Sequence, residues 1–173
     1  AAMVEDAPTV SELLAAWAAK KPDAPLFSWL EDKGGAMHVT QTLSYGDVEA
    51  AAARTAHKLR HKEGVERGDR CLLVYEPGLA YIVAFLACAR CGAVPVPVFP
   101  PDPRKLGGPE ADAFASIRTS SGAAVALSTL SYIKNKGLAR SLRGFKSLRR
   151  DVAKCADLDE ACEWVATDAA PDA

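Results

Sequence analysis

The sequence is poor in the features that assign a protein to a membrane or secretory class. Its first ten residues, AAMVEDAPTV, contain neither the basic segment nor the apolar segment of a secretory signal. The longest apolar run, Leu79 to Ala89, is too short to span a bilayer and ends at Arg90. The formal net charge is only −1, so overall charge does not favour nucleic acid or an anionic membrane as a partner. We therefore predict a cytoplasmic protein with no transmembrane segment.

The cysteines also give little support for a redox or zinc site. The chain has five cysteines, and an odd number without a signal peptide favours reduced thiols in an intracellular protein. Cys88 and Cys91 have the CxxC spacing of redox and zinc sites. Both fall at the predicted C-terminal end of a helix, whereas the helix dipole favours a thiolate at the N-terminal end. We favour a structural role for both residues.

Histidine is scarcer than cysteine. The three histidines are His38, His57 and His61. The last two are four residues apart, so they share a helix face, as metal ligands can. Basic residues alternate with them and no acidic ligand accompanies them, which favours a solvated helix end over a metal or catalytic site.

Glycine-rich phosphate loops are absent from the sequence. It contains no GxGxxG, no GxxxxGK[ST] and no GxSxG motif. Gly107–Gly108 is followed by proline and is interpreted as a flexible turn. The run from Thr119 to Gly122 is similar in composition to a phosphate loop, but its position predicts the end of a helix.

The elements that are present follow a strand–helix–strand pattern between Asp69 and Pro103. A short apolar strand at 71–75 precedes a largely buried helix over 79–89 and a second strand at 93–98. A crossover of this length predicts a right-handed parallel unit. Further apolar strands are expected at 123–128 and 163–167. We predict a three-layer α/β fold with a mainly parallel sheet flanked by helices.

Two helices and a hairpin are predicted before this unit. Thr9 with Glu12 and Ser44 with Asp47 are capping boxes that begin the helices. One apolar helix face is formed by Val10, Leu13, Leu14 and Trp17, and the other by Val48, Ala51, Ala52, Thr55 and Leu59. Gly64 is expected to cap the second helix. Strands at 26–30 and 36–42 are expected to pair across the Asp-Lys-Gly-Gly turn.

A proline-rich segment and a basic segment have two interpretations each. The prolines are Pro95, Pro97, Pro100, Pro101 and Pro103. They could form a ligand for SH3-like domains, but a rigid exit at a sheet edge is favoured. Residues 134–150 carry seven basic residues and no acidic one. An acidic tail follows, which favours an ordinary solvated helix; an acidic partner is the sharper hypothesis.

Several segments, taken in order, resemble one family. They are TLSYGD at 42–47, GDRCLLV at 68–74, PGLAYIVAFLAC at 77–88, GAVPVP at 92–97, FPPDP at 99–103 and WVATDA at 164–169. This ordered set resembles the fatty acyl-AMP ligases and acyl-CoA synthetases of the adenylate-forming superfamily. The match is best over 9–103 and weaker over 129–173. We expect residues 1–173 to form part of the N-terminal domain of such an enzyme.

The resemblance implies a parent enzyme that activates a fatty acid with ATP and Mg²⁺ to an acyl-adenylate and pyrophosphate. The acyl group would then pass to an acyl carrier protein or to CoA. The family's phosphate loop ending in Pro-Lys, its acidic ATP-binding motif and its C-terminal lysine have no counterpart in these residues. We therefore assign no catalytic, cofactor-binding or metal-binding residue, and we expect an inactive N-terminal fragment. The alternative is a non-catalytic interaction module derived from the same fold.

Overall fold

The computed structural model describes residues 8–102, 108–143 and 162–168. Its helices and strands, in chain order, are α1 (Val10–Lys20), β1 (Pro25–Asp32), β2 (Met37–Ser44), α2 (Tyr45–His61), β3 (Arg70–Val74), α3 (Leu79–Cys91), β4 (Val94–Val98), α4 (Pro109–Ser121), β5 (Val125–Ser128), α5 (Leu130–Arg143) and β6 (Glu163–Ala166). The chain divides into two compact units. The first comprises residues 1–67 and 82–93, and the second comprises residues 68–81 and 94–173.

Both predicted capping boxes of the first unit are confirmed. The Thr9 hydroxyl accepts a hydrogen bond from the Glu12 N–H at 3.2 Å, and the Glu12 carboxylate accepts one from the Thr9 N–H at 2.7 Å. Ser44 and Asp47 repeat this exchange at the start of α2, at 3.1 and 2.9 Å. The backbone hydrogen bonds lower the pKa of the Glu12 and Asp47 carboxyl groups because they favour the ionised form.

The predicted apolar face of α1 is only partly used. Leu14 is buried, but Val10, Leu13 and Trp17 are 44–50% exposed. Helix α1 packs against α2, which buries Leu14 but leaves the neighbouring apolar side chains uncovered. The ammonium group of Lys21 lies 4.4 Å from the centroid of the Trp17 ring, so a cation–π contact partly occupies this surface. The predicted face of α2 packs more fully: four of its five residues are buried, and Ala51 is half-buried.

The hairpin of the first unit is confirmed as a separate two-stranded antiparallel sheet. Leu30 pairs with Val39 and Asp32 with Met37, and the register shifts between Trp29 and Leu30. The Asp32 carboxylate accepts a hydrogen bond from the Gly35 N–H at 2.7 Å, which closes the turn. Leu30, Met37 and Val39 are 47–62% exposed. Nearly all of β2 is exposed.

An ion pair joins α2 and α3 within the first unit. The Arg90 guanidinium donates to the Glu49 carboxylate at 2.6 Å. Helix α3 is less buried than predicted: Ala84, Ala87 and Cys88 are buried, but Ile82, Val83 and Leu86 are half-buried and Phe85 is 39% exposed. The prediction that Gly64 caps α2 is wrong: Lys62 is the C-cap, and Gly64 lies in the following turn with φ +64°.

The second unit is built on a four-stranded parallel sheet in the order β4-β3-β5-β6. The residues of β3 from Cys71 to Val74 are at most 1% exposed, as expected for a strand with both faces covered. Leu72, Val74 and Phe114 belong to its core. The parallel sheet flanked by helices confirms the predicted α/β class.

Strand β4 is an edge strand of this sheet among the described residues, as the proline pattern predicted. The Val94 N–H donates to the Asp69 carbonyl at 2.7 Å, toward β3. Alternate residues of a strand present their backbone groups to the same side. The backbone groups of Pro95 and Pro97 therefore face away from β3, toward the outer edge of β4. The two prolines remove the N–H donors from its outer edge.

The two ends of α4 test two predictions, one for Gly107–Gly108 and one for residues 119–122. Gly108 is not a flexible turn but the N-cap of α4, with φ +114°, and Pro109 takes the first helical position. The helix ends at Ser121, and Gly122 caps it in the left-handed conformation. The segment 119–122 therefore ends a helix, as predicted. In the part of the chain that the structure describes, no helix has the length and apolar character needed to cross a membrane.

Candidate functional site at the carboxyl ends of the parallel strands

The strand order places a topological switch point beside β3. The chain passes from β3 to β4 on one side and then to β5 on the other. In open parallel sheets, ligands bind outside the carboxyl ends of the strands at such a point. The residues at or just beyond the ends of β3, β5 and β6 include Tyr75, Ser128 and Thr167, which we call the hydroxyl cluster.

Hydrogen bonds within the hydroxyl cluster connect the three strand ends. The hydroxyl groups of Tyr75 and Thr167 lie 2.8 Å apart. The Ser128 hydroxyl, which is fully buried, donates to the Val74 carbonyl at 2.6 Å. The Thr167 hydroxyl also lies 3.5 Å from the Ser128 carbonyl oxygen. These contacts brace the strands against one another at the switch point.

The N-terminal end of α5 lies next to this cluster in sequence. The Leu130 N–H donates to the Asp168 carboxylate at 2.6 Å, and the Tyr132 N–H donates to the Thr129 hydroxyl at 3.2 Å. A helix N-terminus attracts anions through its free N–H groups and its dipole. Here the chain's own Asp168 carboxylate takes that position.

An aromatic stack packs beside the same strands. The centroid of the Trp164 ring lies 5.9 Å from that of Phe114 and 5.9 Å from that of Tyr132. The Lys136 ammonium lies 3.7 Å from the Trp164 centroid. The Tyr132 hydroxyl donates to the Pro101 carbonyl at 2.7 Å, which connects α5 to the segment after β4. Lys136 belongs to the basic stretch 134–150, so part of that stretch stabilises the fold.

A groove of about 330 Å³ lies elsewhere in this unit, and none of its lining residues belongs to the hydroxyl cluster. It is lined by Val98, Phe99, Pro109, Glu110, Ala113 and Ile117. The lining is apolar except for the Glu110 carboxylate. Such a groove offers contact area but no pair of groups for acid–base or nucleophilic chemistry.

The described residues at the strand ends form hydrogen bonds that support the sheet. Nucleophilic catalysis needs a hydroxyl beside a general base, and phosphate chemistry needs clustered cations or free backbone amides. The Ser128 hydroxyl contacts the Val74 carbonyl, and the Tyr75 hydroxyl contacts the Thr167 hydroxyl. Sequence reasoning did not select these residues, because single Ser, Thr and Tyr residues have no distinctive spacing. The signal that could have found them is their position at the ends of successive parallel strands.

The cysteines singled out from the sequence are buried. Cys88 and Cys91 lie in the last turn of α3, and the Cys91 thiol lies 3.4 Å from the Cys88 carbonyl oxygen. Burial raises the pKa of the Cys162 thiol, although the nearby Arg118 opposes this effect. Burial supports the structural interpretation of Cys88 and Cys91.

The structure describes all three histidines but only part of the basic stretch. The rings of His57 and His61 lie side by side on α2, whereas His38 lies on β2. Across residues 8–102, 108–143 and 162–168, no three His, Cys, Asp or Glu side chains form a metal-binding group. Of the basic stretch, residues 134–143 form part of α5 and residues 144–150 lie outside the described residues. The acidic partner of this stretch stays a prediction.

The chain is similar to adenylate-forming enzymes both in sequence profile and in structure. The profile of the family described as "AMP-binding enzyme" matches residues 14–172. The crystal structure of a fatty acid AMP ligase from Legionella pneumophila superposes with a TM-score of 0.63 at 27% identity, covering 75% of this chain and 21% of that one.

Two curated relatives match shorter segments. Disco-interacting protein 2 homolog A of Mus musculus is 44% identical over 86 residues, which are 50% of this chain and 5% of the relative. A Mycobacterium tuberculosis protein named as a fatty-acid–CoA ligase, FadD21, is 32% identical over 93 residues, covering 54% of this chain and 16% of the relative. The chain thus spans a small part of each relative.

These matches confirm the resemblance to fatty acyl-AMP ligases. The parallel sheet, the ordered motifs and the profile match over most of the chain agree. The chain belongs to the AMP-binding enzyme family and corresponds to an N-terminal region of the adenylate-forming ligases.

Proposed function

We propose that this chain is the structural N-terminal portion of a fatty acyl-AMP ligase-like enzyme, and that it does not catalyse adenylation by itself. The whole enzyme would use ATP and Mg²⁺ to convert a fatty acid to acyl-AMP. It would then transfer the acyl group to an acyl carrier protein or to CoA. The role of these residues would be to hold the parallel sheet on which the rest of the site is assembled.

The observation that carries this proposal is the profile match over 14–172, combined with the internal bonding of the strand ends. The hydroxyl cluster joins three strands, and Asp168 caps α5. Both features favour a rigid support over a reaction centre. These residues also lack the phosphate loop ending in Pro-Lys that the resemblance implies for ATP binding.

Exchange of radiolabelled pyrophosphate into ATP tests the proposal. The purified chain is assayed with medium- and long-chain fatty acids and Mg²⁺, with the Legionella ligase as the positive control. We expect no exchange above a protein-free blank. Circular dichroism on the same sample shows whether the chain is folded. Exchange that saturates with both ATP and fatty acid would refute the proposed inactivity.

A second candidate is a non-catalytic interaction module. It is favoured by the 44% identity to a relative whose name describes an interaction with another protein, which exceeds the 32% identity to the named ligase. The complete transcript distinguishes the two candidates. A continuation that encodes the phosphate-loop and acidic motifs, with exchange activity in the whole protein, supports the enzyme. A whole protein that lacks those motifs supports the module.

A further inference from the structure

We propose that His57 and His61 form a binding site for a first-row divalent transition-metal ion on the last turn of α2. The two rings lie with their centroids 4.4 Å apart and their planes inclined by 36°. Both residues are exposed. The spacing of the residues alone favoured a solvated helix end. The structure adds that the two rings lie close together on the accessible surface.

The distance between the rings suits chelation of a single ion. Metal–nitrogen bonds to histidine are about 2.0–2.1 Å long, so two coordinating nitrogens lie about 3 Å apart. Rings with centroids 4.4 Å apart can reach this separation by small side-chain rotations. The (i, i+4) spacing on a helix is also the spacing of the two histidines in helical zinc sites.

The donor atoms select the class of ion. Imidazole nitrogen suits Ni²⁺, Cu²⁺ and Zn²⁺, whereas Mg²⁺ and Ca²⁺ prefer oxygen ligands. Among the described residues, two protein ligands are offered, and water would complete the coordination. Neighbouring cations oppose binding, although Lys58 pairs with Glu63 at 4.0 Å. We therefore expect saturable binding of Ni²⁺ and no measurable affinity for Mg²⁺.

Binding would have a local structural effect. The two ligands are one turn apart, immediately before the C-cap at Lys62. An ion that bridges them would hold the last turn of α2 closed, because binding to the folded form alone stabilises that form. The backbone amides of residues 61–63 should then exchange more slowly with solvent when Ni²⁺ is present.

Isothermal titration of the untagged chain with NiCl₂ tests the site. We expect one saturable site, and we expect His57→Gln and His61→Gln each to weaken binding at least about tenfold, because chelation needs both rings. His38→Gln is the matched control: it removes the lone exposed histidine of β2 and should leave the affinity unchanged. MgCl₂ should give no binding signal.

Three results would overturn the proposal. Unchanged Ni²⁺ affinity in both α2 variants would place binding elsewhere. A loss in only one of them would indicate a single imidazole rather than a pair. An equal loss in His38→Gln would indicate non-specific binding. Because both rings are exposed, the variants should fold normally, which urea unfolding of each variant verifies.

Discussion

The two sheets of this protein differ in almost every respect that governs stability. The β1–β2 hairpin is antiparallel, and Leu30, Met37 and Val39 are exposed on it. The four-stranded sheet is parallel, and β3 is almost completely buried. An isolated two-stranded sheet is marginal in water, whereas a covered parallel sheet draws its stability from apolar burial. Two segments that both form β-strands therefore need not contribute equally to folding.

The largest expected contrast is between two leucines. Leu72→Ala should lower the free energy of unfolding by about 2–5 kcal/mol, because Leu72 is fully buried in the sheet core. Leu30→Ala should change it by less than about 0.5 kcal/mol, because Leu30 is 47% exposed. Urea unfolding measures both. Equal losses would show that the hairpin face is buried in solution.

Two serines, one in each sheet, allow the stability of the sheets to be compared at the level of single hydrogen bonds. Ser128→Ala should cost about 1–3 kcal/mol, because it removes a buried bond to the Val74 carbonyl. Ser28→Ala removes an exposed contact of 3.0 Å to the Thr42 hydroxyl and should cost less than about 0.5 kcal/mol. Thermal unfolding of the two variants, measured side by side, gives the difference. A larger loss for Ser28→Ala would contradict the assignment of stability to the parallel sheet.

Ser44 is the last residue of β2 and the N-cap of α2. A substitution there shows whether weakening this helix start also affects the parallel sheet. Ser44→Ala should cost about 1 kcal/mol through the loss of the side-chain bond to the Asp47 N–H. Hydrogen exchange should quicken in the first turn of α2 and leave the amides of β3 unaffected. Thr9→Ala, at the start of α1, is the matched control and should quicken exchange in α1 instead. Faster exchange throughout β3 would indicate that the cap supports the sheet as well.

The smallest expected effect is a loss of stability of α1 and α2 at acidic pH. The pKa values of Glu12 and Asp47 are lower in the folded chain than their ordinary values of 4.5 and 3.8. Their contribution to stability is therefore complete above those ordinary values and is lost as the pH falls through the lower folded-state values. Exchange in α1 and α2 should quicken in this range. In the double variant Glu12→Gln, Asp47→Asn this acid dependence should disappear, and its persistence would assign it to other groups.

The sequence was informative where hydrophobic pattern and local chemistry agree. Strands β3 and β4, both capping boxes and the end of α4 at Gly122 follow from residues close to each other in the chain. The exposure of Val10 and Trp17 could not be predicted, because periodicity marks an apolar face without showing what covers it. The N-cap role of Gly108 was not predicted because a Gly-Gly-Pro sequence is also typical of a turn, and glycine makes no side-chain cap hydrogen bond.

The candidate site was less predictable than the fold. Tyr75 and Thr167 are 92 residues apart, and their hydroxyls meet only because β3, β5 and β6 are aligned in one parallel sheet. Ordinary hydroxyl residues become a recognisable group only when strand order is known. The family resemblance succeeded for a different reason, since it used many weak segments in a fixed order rather than any one residue.

The two prolines of β4 have a consequence for self-association. Unlimited stacking of sheets into a fibril requires each copy to offer two competent edges, one for the copy before it and one for the copy after it. The outer edge of β4 cannot donate hydrogen bonds at Pro95 and Pro97. Addition of another strand at the outer edge of β4 should therefore be disfavoured in the folded chain.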